Sequence, residues 1–251
     1  MIHLQRLAAS MLKRAQRKSW KHIKKYCPTY ISKSDRFREL VLSRLESDMD
    51  MIDLGCGRGL ETAISYKELT RHSYGLDISE AVYANSTIHE PLLGSVYDIP
   101  LPNGSVDLAV NQELLEHLEF PERMFQEVSR ILRPNGIFAA MTPNIWYPSM
   151  MVSYVTPYSF HKFVNRVLHN IDARDVFPTW YRANTLGRLK RLGKSAGLDI
   201  VQYEYFTSNP GELSFSPLLT RLEVAYYRLL VRFEALGWLR DVVIVFFRKP
   251  A

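Results

Sequence analysis

Residues 51–60 read MIDLGCGRGL. Met51 to Leu54 is an apolar run carrying one acid, Asp53, and it gives way to glycine at every second position: Gly55, Gly57 and Gly59. Glycine reaches backbone conformations closed to other residues and puts no side chain in the way, so another body can approach the main chain closely here. The run reads as a strand, and Leu60 to Leu69 as the helix after it. Such a strand, turn and helix hold a dinucleotide when the glycines are spaced GxGxxG, because the third glycine lets the helix pack on the strand. In this chain Gly59 comes one place early and Leu60 occupies the third position, which counts against a nicotinamide cofactor. What remains is a bare turn before a helix start, suited to a nucleoside-like ligand lying across strand ends.

Outward from this loop, apolar runs alternate with helix-like stretches, the pattern of an α/β protein with a mostly parallel sheet. Ser73 to Leu76 predicts a second strand ending at Asp77, and Leu92 to Val96 a third before Asp98. Val106 to Val110 predicts a fourth that runs into Asn111, and Pro121 to Leu132 a helix with proline in its first turn. Arg133 to Gly136, RPNG, is turn chemistry, and Ile137 to Met141 a fifth strand. Asn184 and Thr185 are cap candidates for a later helix, while Leu198 to Phe206 and Asp241 to Phe247 read as the last two strands. Residues 145–183 form a lid-like insertion with a helix expected from Ser159 through Leu168. A second insertion, 207–240, repeats Leu218, Leu219, Leu222, Tyr226, Leu229, Leu230 and Phe233 at helical spacing.

Asp77 stands 24 residues after Asp53, where a carboxylate can accept both hydroxyl protons of a ribose. Asp98, in SVYDIPLP, is a further acid near a strand end. An aspartate alone is more often a cap or turn residue. Acids that follow one strand after another, with the glycines between them, are harder to obtain by accident.

The chain resembles the class I S-adenosylmethionine-dependent methyltransferases, particularly the small-molecule group that includes quinone-biosynthesis enzymes. The resemblance rests on IDLGCGRG at 52–59, YGLDIS at 74–79, GSVYDIPLPNGSVDLAV at 94–110, LLEHL at 114–118 and ILRPNGIFAAMTPN at 131–144, and spans roughly 40–206. It implies a Rossmann-like fold, with a mostly parallel seven-stranded sheet and helices on both faces, and S-adenosylmethionine as cofactor. It also implies that Asp53, Gly55, Cys56, Gly57 and Gly59 cradle the methionine part, and that Asp77 and Ile78 meet the ribose side. Asp98, with backbone near Ile99, would meet the adenine, and Asn111 to Glu113 would line the reactive side. The charges agree: this cofactor has no phosphates and carries a cationic sulfur and amino group, which acids attract and which a pyrophosphate site would repel.

Methyl transfer to an acceptor nucleophile starts from an already activated leaving group. Positioning two reactants supplies roughly 7 to 11 kcal/mol, against roughly 3 to 5 kcal/mol from a general base. The cofactor residues are therefore better defined than the catalytic one. His117, in LLEHL, and His161, in the first insertion, are the base candidates, followed by His169, with Tyr147 and Tyr181 as shapers of the acceptor pocket. Base-amino methylation tends to place an Asn-Pro-Pro-Tyr segment after the fourth strand, whereas here Asn111 leads into Gln112 and Glu113. The magnesium-dependent catechol type uses acids after the fourth and fifth strands, where this chain has Asn111 and then Thr142, Pro143 and Asn144, so no metal is expected. The expected activity is methyl transfer to a small-molecule, lipid or saccharide acceptor, at oxygen. A cofactor-binding protein of regulation or assembly with no turnover is the alternative.

Charge singles out the N-terminal segment 1–40 from the domain at 41–251. Residues 1–38 carry eleven Lys or Arg against the single acid Asp35, a local charge of +10, so the rest carries −4 of the net +6. Leu4, Ala8, Met11, Leu12, Ala15, Ile23 and Tyr26 share a helical face, with cations around the remainder. Such a helix packs on its domain, lies on an anionic membrane, or serves nucleic-acid binding or targeting, in that order of expectation. Apolar runs such as Val242 to Phe247 fall well short of the roughly 18 residues that span a membrane. Two cysteines in no metal or redox spacing suit a reducing cytoplasm, with peripheral membrane contact left open.

Overall fold

The computed structural model describes residues 2–28, 31–59, 65–155, 178–208 and 210–251. Seven strands form one sheet: β1 (Asp50–Leu54), β2 (His72–Asp77), β3 (Glu90–Leu93), β4 (Val106–Gln112), β5 (Leu132–Pro143), β6 (Asp199–Phe206) and β7 (Val242–Arg248). Their spatial order is β3-β2-β1-β4-β5-β7-β6, parallel throughout except for β7, which runs antiparallel to both neighbours. The order reverses between β1 and β4, and a crevice opens outside the carboxyl ends of strands at such a switch point.

Helices cover both faces. They are α1 (Ile2–Tyr26), α2 (Lys33–Leu42), α3 (Pro121–Ile131), α4 (Pro148–Val155), α5 (Leu186–Ser195) and α6 (Pro217–Arg232). On one face α3 and α5 bury Met124, Phe125, Val128, Leu189 and Leu192 against Leu54, Phe138 and Phe247. On the other, α2 sets Phe37, Leu40 and Val41 against Met51, Val110, Met141 and Phe246. Phe125 stands edge-on to Phe138 and to Phe247, with centroids 5.5 and 5.4 Å apart, an arrangement worth about 0.5–1.5 kcal/mol per pair beyond the buried area. β7 is buried from Val242 to Phe247 because it lies inside the sheet, whereas the edge strand β6 exposes Asp199, Val201 and Tyr203 in alternation.

Three expectations shift. The third strand ends at Leu93, because Gly94 donates its N–H to the Asp77 carbonyl at 2.9 Å and residues 95–98 turn, with Asp98 N–H on the Ser95 carbonyl at 3.1 Å. RPNG lies within β5, its turn character surviving as a left-handed Asn135 (φ 66°) beside a register shift between Val106 and Leu108. Of the helix expected over Leu60 to Leu69, the described part is a single 3₁₀ turn, Tyr66–Glu68, and residues 60–64 lie outside the described residues. The Ser159 to Leu168 helix, with His161, and His169 beyond it, also fall outside them. Among the described residues no helix is long and apolar enough to cross a membrane.

Candidate cofactor and acceptor site

β1 delivers the glycine loop to the switch point. Gly55 donates its N–H to the Leu76 carbonyl at 2.8 Å, which hangs the loop from the neighbouring strand. All three glycines adopt left-handed φ: 77°, 51° and 73° at Gly55, Gly57 and Gly59. Their surroundings differ. A Cβ at Gly59 would sit 2.3 Å from Asn85 Oδ1, and one at Gly55 would press on Leu114 at 3.2 Å, so these two make room for protein. A Cβ at Gly57 would meet nothing within 4 Å among the described residues. Gly57 is the point where the bare backbone faces open space, a cradle for a ligand.

Asp77 spans the gap between β2 and this loop. Its Oδ2 accepts the Gly57 N–H at 2.9 Å and its Oδ1 the Ser79 N–H at 2.8 Å. A carboxylate has about four acceptor sites, so both oxygens retain capacity for hydroxyl donors. Asp53 is buried beneath the loop, and burial, with Asp77 adding to it, pushes its carboxyl up to about 7. Ile78 is 72% exposed beside Asp77 and offers an apolar face. Cys56 turns its side chain away, into a small cluster with Val82 and Ile88, so it can serve a ligand only through its backbone.

Asn111 lies opposite Leu54 across the β4–β1 pair. Its Nδ2 donates to the Leu54 carbonyl at 3.3 Å, while its fully buried Oδ1 has no partner among the described residues. An unsatisfied buried acceptor costs about 1–3 kcal/mol, and a donor from a bound amine or hydroxyl would recover it. An open glycine and the two acids, which share one face of the strand ends, fit a cationic adenosyl ligand, while Asn111 ends β4 on the Leu54 face.

The adenine end departs from expectation. Asp98 is exposed and available. Ile99 is not: its N–H donates to Glu127 Oε2 at 2.8 Å and its carbonyl accepts from Arg130 Nη2 at 2.8 Å. Arg130 also reaches the Leu101 carbonyl at 2.7 Å. Its guanidinium, with the Ile99 amide, outweighs burial and holds the Glu127 carboxyl below the usual range. The spacing of Glu127 and Arg130, three apart on α3, signals only a helical ion pair, so their grip on the 98–101 loop was invisible in sequence.

On the acceptor side the LLEHL turn, a 3₁₀ segment Leu115–His117, places adjacent residues differently. His117 Nδ1 sits 2.8 Å from the Pro178 carbonyl, which can only accept, so Nδ1 carries the proton in this contact. The Glu116 carbonyl accepts the N–H groups of Trp180 and Tyr181 at 2.8 and 3.2 Å, so this turn anchors the returning end of the first insertion. Glu116 itself is buried, and its carboxylate accepts from Thr142 Oγ1 at 3.4 Å. Burial pushes its carboxyl up to about 7, Glu113 adding to the rise and Lys33 opposing it. Asn184 completes the group, donating to Thr142 Oγ1 at 2.8 Å and to the Pro143 carbonyl at 3.0 Å. Lys33, on α2, pairs with Glu113, and Gln112 donates to Ser34 at 2.8 Å, which ties α2 to the end of β4. Burial disfavours the Lys33 charge, but Glu113, aided by Asp241 and Glu116, outweighs it and raises the ammonium's pKa. Tyr147 stacks obliquely near Tyr226 at 6.0 Å, and Tyr181, at a left-handed φ of 50°, lies 6.2 Å from Tyr154.

Comparison with known proteins agrees with this geometry. Residues 52–140 match the sequence family described as a methyltransferase domain. A Mycolicibacterium smegmatis protein described as a probable S-adenosylmethionine-dependent methyltransferase is 34% identical over 116 residues, covering 43% of this chain and 45% of that one. The chain thus spans less than half the length of that relative. A ubiquinone biosynthesis O-methyltransferase of Cupriavidus pinatubonensis is 25% identical over 170 residues, 64% of each chain. Among solved structures, an S-adenosylmethionine-dependent methyltransferase from Mesorhizobium loti superposes with a TM-score of 0.56 at 19% identity, over 85% of this chain and 98% of the other. The chain is built on the Rossmann-like fold seen in S-adenosylmethionine-dependent methyltransferases of solved structure, and its residues 52–140 are similar to the family described as a methyltransferase domain.

Proposed function

We propose that the protein transfers a methyl group from S-adenosylmethionine to an oxygen of a small-molecule, lipid or saccharide acceptor. The observation that carries this is the loop at the end of β1, where, among the described residues, Gly57 leaves open space beside the Asp77 carboxylate that accepts its N–H, above the buried Asp53. When bound, the cofactor supplies a methyl group on a cationic sulfur, already activated for displacement. Asp53 receives its amino group, Gly57 admits its methionine part, and Asp77 accepts from the ribose hydroxyls. Asp98 meets the adenine from an exposed position, over the apolar face of Ile78.

Glu116 is the group we assign to proton removal from the acceptor. A base acting near neutral pH works best with a pKa close to it, and Glu116 sits at about 7. His117, whose Nδ1 proton is engaged by Pro178, holds the turn that presents Glu116. A hydroxyl acceptor fits a single buried carboxyl of this kind, since its proton must leave as the methyl arrives.

We place the protein in the cytoplasm, in keeping with two free, buried cysteines, and in peripheral contact with a membrane that would supply a lipophilic acceptor. The test is a cell extract supplied with methyl-labelled cofactor. Label in a lipid, saccharide or small molecule, abolished by Asp53→Asn, supports the reading, and label in none of them with the purified protein folded contradicts it.

A further inference from the structure

The fold brings together two segments that lie about as far apart as the chain allows. α1 and α6 run side by side, joined where Thr220 Oγ1 bonds Ser19 Oγ at 3.0 Å, both fully buried, and where Ile23 and Cys27 pack on Val224. Arg228 lies over the Tyr26 ring at 5.7 Å one turn further on. The contacts advance in step along both helices, so the pair is parallel.

Each helix keeps a different outward face. On α1 the exposed side presents Lys13, Arg17, Lys18, Lys21, Lys24 and Lys25, and residues 13–25 contain no acid. On α6, Leu218, Leu222 and Leu229 recur at helical spacing on the side opposite Thr220, Val224 and Tyr227. They are 68%, 61% and 44% exposed. Arg221, Arg228 and Arg232, all exposed, line this leucine stripe. The one acid of α6, Glu223, is turned inward to accept the N–H groups of Gly211 and Glu212 at 2.8 and 3.0 Å. Beyond α6, Phe233 and Trp238 are also exposed, with the exposed Glu234 between them, and the Trp238 ring meets Trp146 at 6.3 Å, just past the carboxyl end of β5. The stripe therefore ends beside the acceptor side of the sheet.

We infer that the α1–α6 pair is a docking surface for an anionic phospholipid bilayer, the leucines of α6 entering the headgroup boundary and the cations of α1 and α6 meeting lipid phosphates. Charge complementarity selects this occupant. Clustered cations are attracted to an anionic surface, and an apolar stripe set among them gains free energy only where hydrocarbon is available. A nucleic acid would use the cations and leave the leucines in water. The surface deepens the peripheral contact of the functional reading, and it orients the molecule so that a lipophilic acceptor enters next to Trp146 and Trp238.

The full chain is sedimented with vesicles of phosphatidylcholine alone and of phosphatidylcholine mixed with phosphatidylglycerol. Binding to the mixed vesicles only, weakening as salt is raised, is expected. Arg17→Ala combined with Lys21→Ala and Lys24→Ala should lower partitioning by about two orders of magnitude, at about 1 kcal/mol per cation. Leu222→Ser with Leu229→Ser should lower it by at least about tenfold. All five side chains are exposed, and an unchanged melting temperature confirms that the variants fold. No binding, binding indifferent to both sets of variants, tighter binding to RNA that ignores the leucine changes, or a dimer that buries the stripe would each overturn the inference. Label transfer in extract is read in parallel, so loss of vesicle binding with transfer intact removes the docking surface and leaves the methyltransferase reading standing.

Discussion

At the scale of single residues, the three glycines of the loop have separable roles. Gly59→Ala would drive a Cβ to 2.3 Å from Asn85 Oδ1, disturbing the side chain that holds the Gly57 carbonyl at 3.3 Å, and should lower thermal stability. Gly57→Ala meets no neighbour, so its effect on stability is limited to the left-handed φ, about 1–2 kcal/mol. Its Cβ would enter the space assigned to the ligand, and cofactor affinity by calorimetry should fall at least about tenfold, equivalent to about 1.4 kcal/mol. Asp53 makes a pH signature. Its folded pKa of about 7 stands above the roughly 3.9 of an unfolded aspartate, so the native apoprotein holds a proton that the unfolded chain has lost. Its contribution to stability is greatest at low pH and falls as pH rises from about 4 to about 7. Urea denaturation at a series of pH values should show a shallower decline over that window in Asp53→Asn than in the parent. Glu116 has the same sign, and Glu116→Gln should lower kcat by about 10² to 10⁴ with little change in cofactor affinity.

At the scale of elements, α3 does more than cover the sheet. Glu127 and Arg130 clamp the backbone of Ile99 and Leu101, so Arg130→Ala should weaken cofactor binding although the side chain lies on the far side of the loop. Thermal melting with and without cofactor measures it as a smaller ligand-induced shift. α5 begins at Thr185, whose hydroxyl accepts the Arg188 N–H at 3.1 Å, and Thr185→Ala should cost about 1 kcal/mol in denaturant titration. Sequence periodicity located β1, β2, β4, β6, β7, α3, α5 and α6 to within a few residues, because each is a contiguous apolar pattern with its own end signals, whereas β5 begins five residues earlier than expected and runs through RPNG. It misplaced β3, since Gly94 to Val96 is apolar enough to extend a strand until the Asp77 carbonyl takes the Gly94 N–H. It also expected Ile99 to serve the ligand, because the Glu127 side chain that occupies it arrives from a helix 28 residues away.

For the whole molecule, legibility follows locality. The residues proposed for the cofactor sit at consecutive strand ends, so chain order alone maps them onto one edge of the sheet. The cluster around Glu116, which we propose serves the acceptor, joins Lys33, Thr142 and Asn184 from distant stretches that share no motif, and only its contacts, not its position next to His117, single Glu116 out. The pairing of α1 with α6 is of the same non-local kind. Everything turns on the crevice at β1 and β4 binding a cationic adenosyl compound. Isothermal titration of S-adenosylmethionine near pH 7 in two buffers of different ionisation enthalpy tests this most directly. Binding should occur with release of a proton that Asp53 sheds to meet the cation, a release absent from Asp53→Asn. A folded protein giving no heat and no shift in melting temperature at saturating ligand would contradict the account.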